Sequence, residues 1–182
     1  MKISRLMMAV SCLSLMAGAA LAEPALKLND KGYFEAPGLN VTVFADIYPD
    51  GHQTGITVIQ HGERVAANGD LRLEPSPGQW SPMPAGDGQP VVDTVTNSVS
   101  QALHYPDDSK NRKGFNPIDY PDLNFSYHVR VTPLEGDSFK VSVDLDKPLP
   151  EDWEGKVGFN FELFPTDLFG KSWLMDGQGG TF

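Results

Sequence analysis

Three stretches in the second half of the chain alternate with a period of two, and they restrict the fold more than anything else in it. Leu123, Phe125, Tyr127, Val129 and Val131 interleave with Asn124, Ser126, His128 and Arg130. Phe139, Val141, Val143 and Leu145 interleave with Lys140, Ser142 and Asp144, and Val157, Phe159, Phe161 and Leu163 with Gly158, Asn160 and Glu162. Successive strand side chains point to opposite faces, so each run presents one apolar and one polar face. Antiparallel strands packed on one core have that pattern. An amphipathic helix repeats its apolar residues every three to four positions, and no long segment does so.

The same signal recurs upstream. Leu39, Val41, Val43 and Ala45 share one side, Ile56 and Val58 lead into Gln60-His61-Gly62, and Val95, Val99 and Leu103 share a parity in "VTNSVSQALHY". "ERVAANGDLRL" reads as two short strands joined at Asn68-Gly69, a dipeptide that favours a tight hairpin turn. Eighteen glycines and fifteen prolines punctuate these runs. Together they predict an all-β, antiparallel β-sandwich of about 8–10 strands in a single domain. Long Pro/Gly-rich loops are part of that expectation. "EPSPGQWSPMPAGDGQP" reads as a strap over the sandwich, and "YPDDSKNRKGFNPIDYPD" as a polar insertion.

Residues 1–22 read as a secretory signal peptide. Lys2 and Arg5 are its basic start, Leu6–Met16 its apolar stretch and Ala20-Leu21-Ala22 its cleavage site. The apolar stretch is too short to span a membrane. A lipoprotein reading through Cys12 would cut that stretch in half. Secretion, to the periplasm or beyond, is therefore expected. Cys12 is the sole cysteine and would leave with the signal, so no disulfide is expected. A domain of this length buries enough surface to stand without one. The net charge of −10 repels nucleic acid and anionic lipid, whereas neutral polymers such as polysaccharide are indifferent to it.

The search for chemistry finds no catalytic residue, no metal site and no cofactor motif. Asp107-Asp108 and Glu151-Asp152 are adjacent carboxylates in Pro-flanked turns, and spacing alone does not make them an acid–base pair. His52, His61, His104 and His128 lack metal-ligand spacing. "DLDKPLPED" and "PDDSKN" offer clustered oxygens for a structural calcium ion without matching a calcium-loop pattern. The nucleophile elbow, the P-loop and the dinucleotide fingerprint are all missing. Exposed aromatic rings are the remaining candidates: Trp80, Trp153, Phe169 and Trp173, as a sugar-stacking platform or as a domain interface, with interfaces favoured by the area such rings bury. Tyr48, Tyr105 and Tyr120, each before a proline, belong to the same group.

Three phrases carry a family resemblance: "GLNVTVFADIYPDGHQTGITVIQHGERVAANGDLRLEPSPGQW", "DLNFSYHVRVTPLEGDSFKVSVDLDKPLP" and "GKVGFNFELFPTDLFGKSWLMDGQGGTF". They resemble the N-terminal region of large secreted bacterial glycoside hydrolases of the cellulase family 9 kind. The resemblance covers nearly all of the chain from about Leu26 onward. It implies an immunoglobulin-like β-sandwich placed before an α-helical catalytic barrel. The catalytic carboxylates of such enzymes belong to the barrel, so no residue here inherits a catalytic role.

On that basis residues 23–165 are expected to form the sandwich. Residues 166–182, an aromatic and Gly-rich tail without an evident capping strand or helix, are expected to start the connection to a catalytic domain missing from this sequence. The expected partners are the catalytic domain of the same or a parent polypeptide and, secondarily, polysaccharide. The alternative reading is a free-standing carbohydrate-binding sandwich.

Overall fold

The computed structural model describes residues 25–45, 55–74, 76, 84–105 and 123–182. The signal segment, Trp80 with the middle of the strap, most of the polar insertion with Asp107-Asp108, and Tyr48, His52 and Tyr120 lie outside the described residues.

The protein is an all-β antiparallel sandwich, as the alternation predicts. Strands β1 (Lys27–Leu28), β2 (Phe34–Ala36), β3 (Leu39–Val43), β4 (Ile56–Gln60) and β5 (Glu63–Leu73) pair in consecutive order. The chain then builds the second sheet from β6 (Ala85–Gly86), β7 (Val91–Asp93), β8 (Ser98–Tyr105), β9 (Phe125–Pro133) and β10 (Phe139–Leu145). Its order is β10-β9-β8-β6, and β7 also pairs with β8. After a 3-10 turn at Glu151–Trp153, strand β11 (Val157–Leu163) returns to the first sheet beside β5. The short helix α1 (Pro165–Leu168) and the hairpin of β12 (Ser172–Met175) and β13 (Gln178–Thr181) follow. Of the thirteen strands among the described residues, eleven form the two sheets of the sandwich, slightly more than expected because several are only two or three residues long. Most neighbours within each sheet are consecutive in the chain, but β11 lies beside β5, and β6 and β7 both pair with β8. The immunoglobulin-like refinement adds a Greek-key order, and this connectivity gives it no support.

The inward residues match the parity read from the sequence best in β8 and β9. Val99 and Leu103 of β8 and Phe125, Tyr127, Val129 and Val131 of β9 are at most 3% exposed. They meet Val41, Val43, Ile56, Leu71 and Leu73 of the first sheet in one core, which Leu26 and Phe34 extend. The outer strands β10 and β11 are less buried and their burial does not alternate cleanly, Asn160 of β11 being half-buried beside an exposed Phe159. Phe159 and Leu163 of β11 remain 41% and 45% exposed, because β11 is an edge strand and its apolar face is only partly covered.

Two turn expectations are corrected. Asn68-Gly69 is not a hairpin turn. β5 runs through it unbroken, and Asn68, with φ of 56°, creates a bulge against both β4 and β11. The left-handed geometry that a turn would use instead inserts one extra residue into the strand. Gly69 is required there, since a Cβ on it would lie 2.7 Å from that of Ile56. The hairpin turn is His61-Gly62, with φ of 52° and 86°, between Gln60 and Glu63. Val95 is not an inward residue of β8 either. It is 93% exposed in a turn. Asp93 Oδ1 accepts the Val95 and Thr96 N–H groups there, and Asn97 has a φ of 49°. That turn separates β7 from β8.

Candidate functional site

The most specialised chemistry lies where β5 outruns β4. Pairing between these strands begins at Ile56 opposite Gly69, so residues 70–73 have β11 on one side and no described strand on the other. In an antiparallel ladder both backbone polar groups of a residue face the same neighbour. Glu74 donates its N–H to the Lys156 carbonyl, so Arg72 and Glu74 turn their backbone groups toward β11. Leu71 therefore turns its N–H and carbonyl toward the vacated side. Buried backbone groups need partners, and side chains supply them. Asp70 Oδ1 accepts the Leu71 N–H at 2.7 Å, and Tyr105 Oη donates to the Leu71 carbonyl at 2.7 Å.

Tyr127 completes the arrangement from the opposite sheet by donating its hydroxyl to Asp70 Oδ1 at 2.9 Å. Tyr105, Phe125 and Tyr127 form one aromatic cluster with ring centroids 5.5–5.8 Å apart. The rings cross the core and deliver two hydroxyls to β5. Asp70 is only 8% exposed. Burial pushes its carboxyl up to about 7, against the opposing pull of the bonds from Leu71 and Tyr127. Burial, followed by the charge of Asp70, raises the Tyr127 hydroxyl well above its ordinary range.

The outer face of β5 and β11 is polar. Asn68 donates to Glu162 Oε2 at 2.8 Å, and Arg72 bonds Glu74 at 3.0 Å while lying 3.7 Å from Glu162. A shallow groove beside it is lined by Arg72, Glu74, Lys156, Gly158 and Phe159. A concavity of about 740 Å³ also opens between the end of β3 and β6–β8, with Phe44, Gln101 and Leu103 in its lining. Among the described residues, no group of three or more His, Cys, Asp or Glu side chains is placed to hold a metal ion. No helix among them is long and apolar enough to cross a membrane.

The aromatic candidates do not share one surface. Trp80 is outside the described residues. Trp153 is half-buried in the 3-10 turn before β11, packed against the core, with the Lys156 ammonium 5.9 Å from its ring centre. Phe169 and Trp173 come after the other end of β11, a strand that alone spans roughly 20 Å. Phe169 is 85% exposed. Trp173 lies over Gly180 of β13, where a Cβ would come within 2.6 Å of the indole.

The tail expected to lack regular structure is thus α1 and a hairpin. Its turn, Asp176-Gly177, has φ of 49° and 75°. Backbone bonds from Gly170 to Phe182, from Phe182 to Lys171 and from Lys171 to Leu168 tie the hairpin to the turn after α1. Phe164 joins this unit to the sandwich through its N–H to the Val65 carbonyl and through the Arg64 guanidinium 4.8 Å from its ring centre. Leu174 is 78% exposed, Met175 67% and Phe182 41%, so with Phe169 the unit displays four large apolar side chains.

Sequence reasoning pointed to Trp173 and Phe169 but missed Asp70 and the exposed Leu174, Met175 and Phe182. The inward parity of Tyr127 carried a usable signal, since a buried tyrosine hydroxyl needs a polar partner. Comparisons with protein-family models, with curated proteins and with solved structures find no match for this chain.

Proposed function

We propose that this chain is the non-catalytic β-sandwich of a secreted polysaccharide-degrading glycoside hydrolase, and that its C-terminal hairpin docks against the catalytic domain. The observation that carries the reading is the exposure of Phe169, Leu174, Met175 and Phe182 on one short unit. Two paired strands alone are marginally stable in water, so such a hairpin gains from a covering surface. Large apolar side chains left exposed on one small unit are surface that a covering partner would bury. The phrase "GKVGFNFELFPTDLFGKSWLMDGQGGTF", which resembles the region leading into the catalytic barrel of such enzymes, contains this unit. The acidic net charge suits a neutral polymer rather than a polyanion. Trp153 stands apart from Phe169 and Trp173, so no observation favours the free sugar-binding alternative.

The test reads the gene beyond the Phe182 codon. If it encodes a catalytic barrel, that barrel, expressed separately, is titrated with this chain. Association that is lost when Phe169, Leu174 and Met175 are all changed to Ser supports docking. No encoded barrel, or association unaffected by the triple change, overturns it.

A further inference from the structure

We infer that Asp70 is a proton-operated lock between the two sheets, closed when its carboxyl is protonated and loosened when it is ionised. The geometry is specific. Both protein donors, the Leu71 N–H and the Tyr127 O–H, converge on Oδ1. Oδ1 remains an acceptor when the proton sits on Oδ2, so the neutral acid keeps both bonds and removes a buried charge. The ionised form keeps the same two bonds with its charge largely desolvated, an unfavourable state without a cation beside it.

No described element brings that cation. Tyr127 from β9 reaches Asp70, with Tyr105 from β8 stacked on it. His128 and Arg130 of β9 are exposed, and His104 of β8 pairs with Asp87. Asn160 of β11 stands opposite Asp70 in the register, and Glu162 is held by Asn68. β4 has no ionisable side chain. On β5 itself, Arg72 is engaged by Glu74, with Glu162 beyond it.

The lock sits where β5 has lost β4, so loosening it exposes the Leu71 backbone. The direction follows from linkage. The folded carboxyl titrates near 7 and the unfolded one near 3.8, so the folded state holds the extra proton between these values. The stabilisation is fully present below the unfolded value and is lost as pH rises through the folded one.

The test is a carbon-13 titration of the Asp70 carboxyl in the intact protein, with Leu71 amide exchange followed at pH 5 and pH 8. The expected midpoint is near 7 rather than near 4, with Leu71 exchange at pH 8 enhanced beyond the intrinsic base-catalysed rate. D70N should abolish that enhancement and flatten the pH dependence of melting between pH 4 and 8 relative to the parent. A carboxyl midpoint below 5 overturns the lock, and this measurement does not depend on the variant folding. Parallel melting profiles for parent and D70N overturn it as well.

Discussion

Tyr105 of β8 reaches across the sandwich and donates its hydroxyl to the Leu71 carbonyl of β5 at 2.7 Å, on the side where no described strand pairs with that part of β5. Tyr105→Phe leaves this buried carbonyl without the hydroxyl and should cost about 1–3 kcal/mol. A backbone carbonyl carries no titrating proton, so chemical denaturation should show a similar loss at pH 5 and pH 8.

Tyr127→Phe should behave differently. Its hydroxyl serves Asp70, and a hydrogen bond to an ionised carboxylate is about twice as strong as one to a neutral acid. The loss should therefore be larger at pH 8 than at pH 5. Chemical denaturation of the variant at the two pH values checks this, and equal losses would show that Asp70 does not change its charge across that interval.

Val131→Asp and Phe159→Asp separate the core from its edge. Val131 is fully buried, and a carboxylate there has no partner, so cooperative unfolding should be abolished. Phe159 is 41% exposed on the edge strand, where the new charge reaches water. That variant should still unfold cooperatively, with a loss of about 1–2 kcal/mol from reduced apolar burial. Calorimetry of both distinguishes the positions.

Gly69→Ala should cost about 1–3 kcal/mol, because the added methyl meets Ile56 at 2.7 Å within a bulge that both neighbouring strands enclose. Gly158→Ala on β11 meets nothing within 4 Å and should change stability by less than about 0.5 kcal/mol. Urea midpoints of the pair provide the comparison.

Gly180→Val should disrupt the hairpin and leave the sandwich intact, since its side chain would enter the Trp173 ring. Hydrogen exchange should show loss of protection across residues 172–181 with unchanged protection in β8 and β9. Loss in both regions would mean that hairpin and sandwich open together.

Alternation made the inward faces of β8 and β9 legible, because a period of two depends only on which side of a sheet is covered. It does not reveal which strand lies at an edge. That is why Phe159 reads like Val131 in sequence and differs from it in burial. Asn68-Gly69 was misread because a bulge and a hairpin turn use the same left-handed backbone, and only the neighbouring strands decide between them. Asp70 was invisible for a related reason. Its environment comes from Tyr105 and Tyr127 on distant strands, and nothing local to "NGDLRL" discloses them.

Every pairing inside the two sheets joins strands close in sequence except that of β5 with β11, where Asn68 and Glu162 meet across 94 residues. Pairing of that kind is slow to form because a long loop must close first. At synthesis rates of about 5–20 residues per second, the β5 edge would wait roughly 5–20 s for β11 to emerge. Throughout that interval a long, partly apolar strand edge is open to any other extended chain. The return of β11 is thus the step that covers the β5 edge, and a chaperone that holds the chain until then would have most effect there.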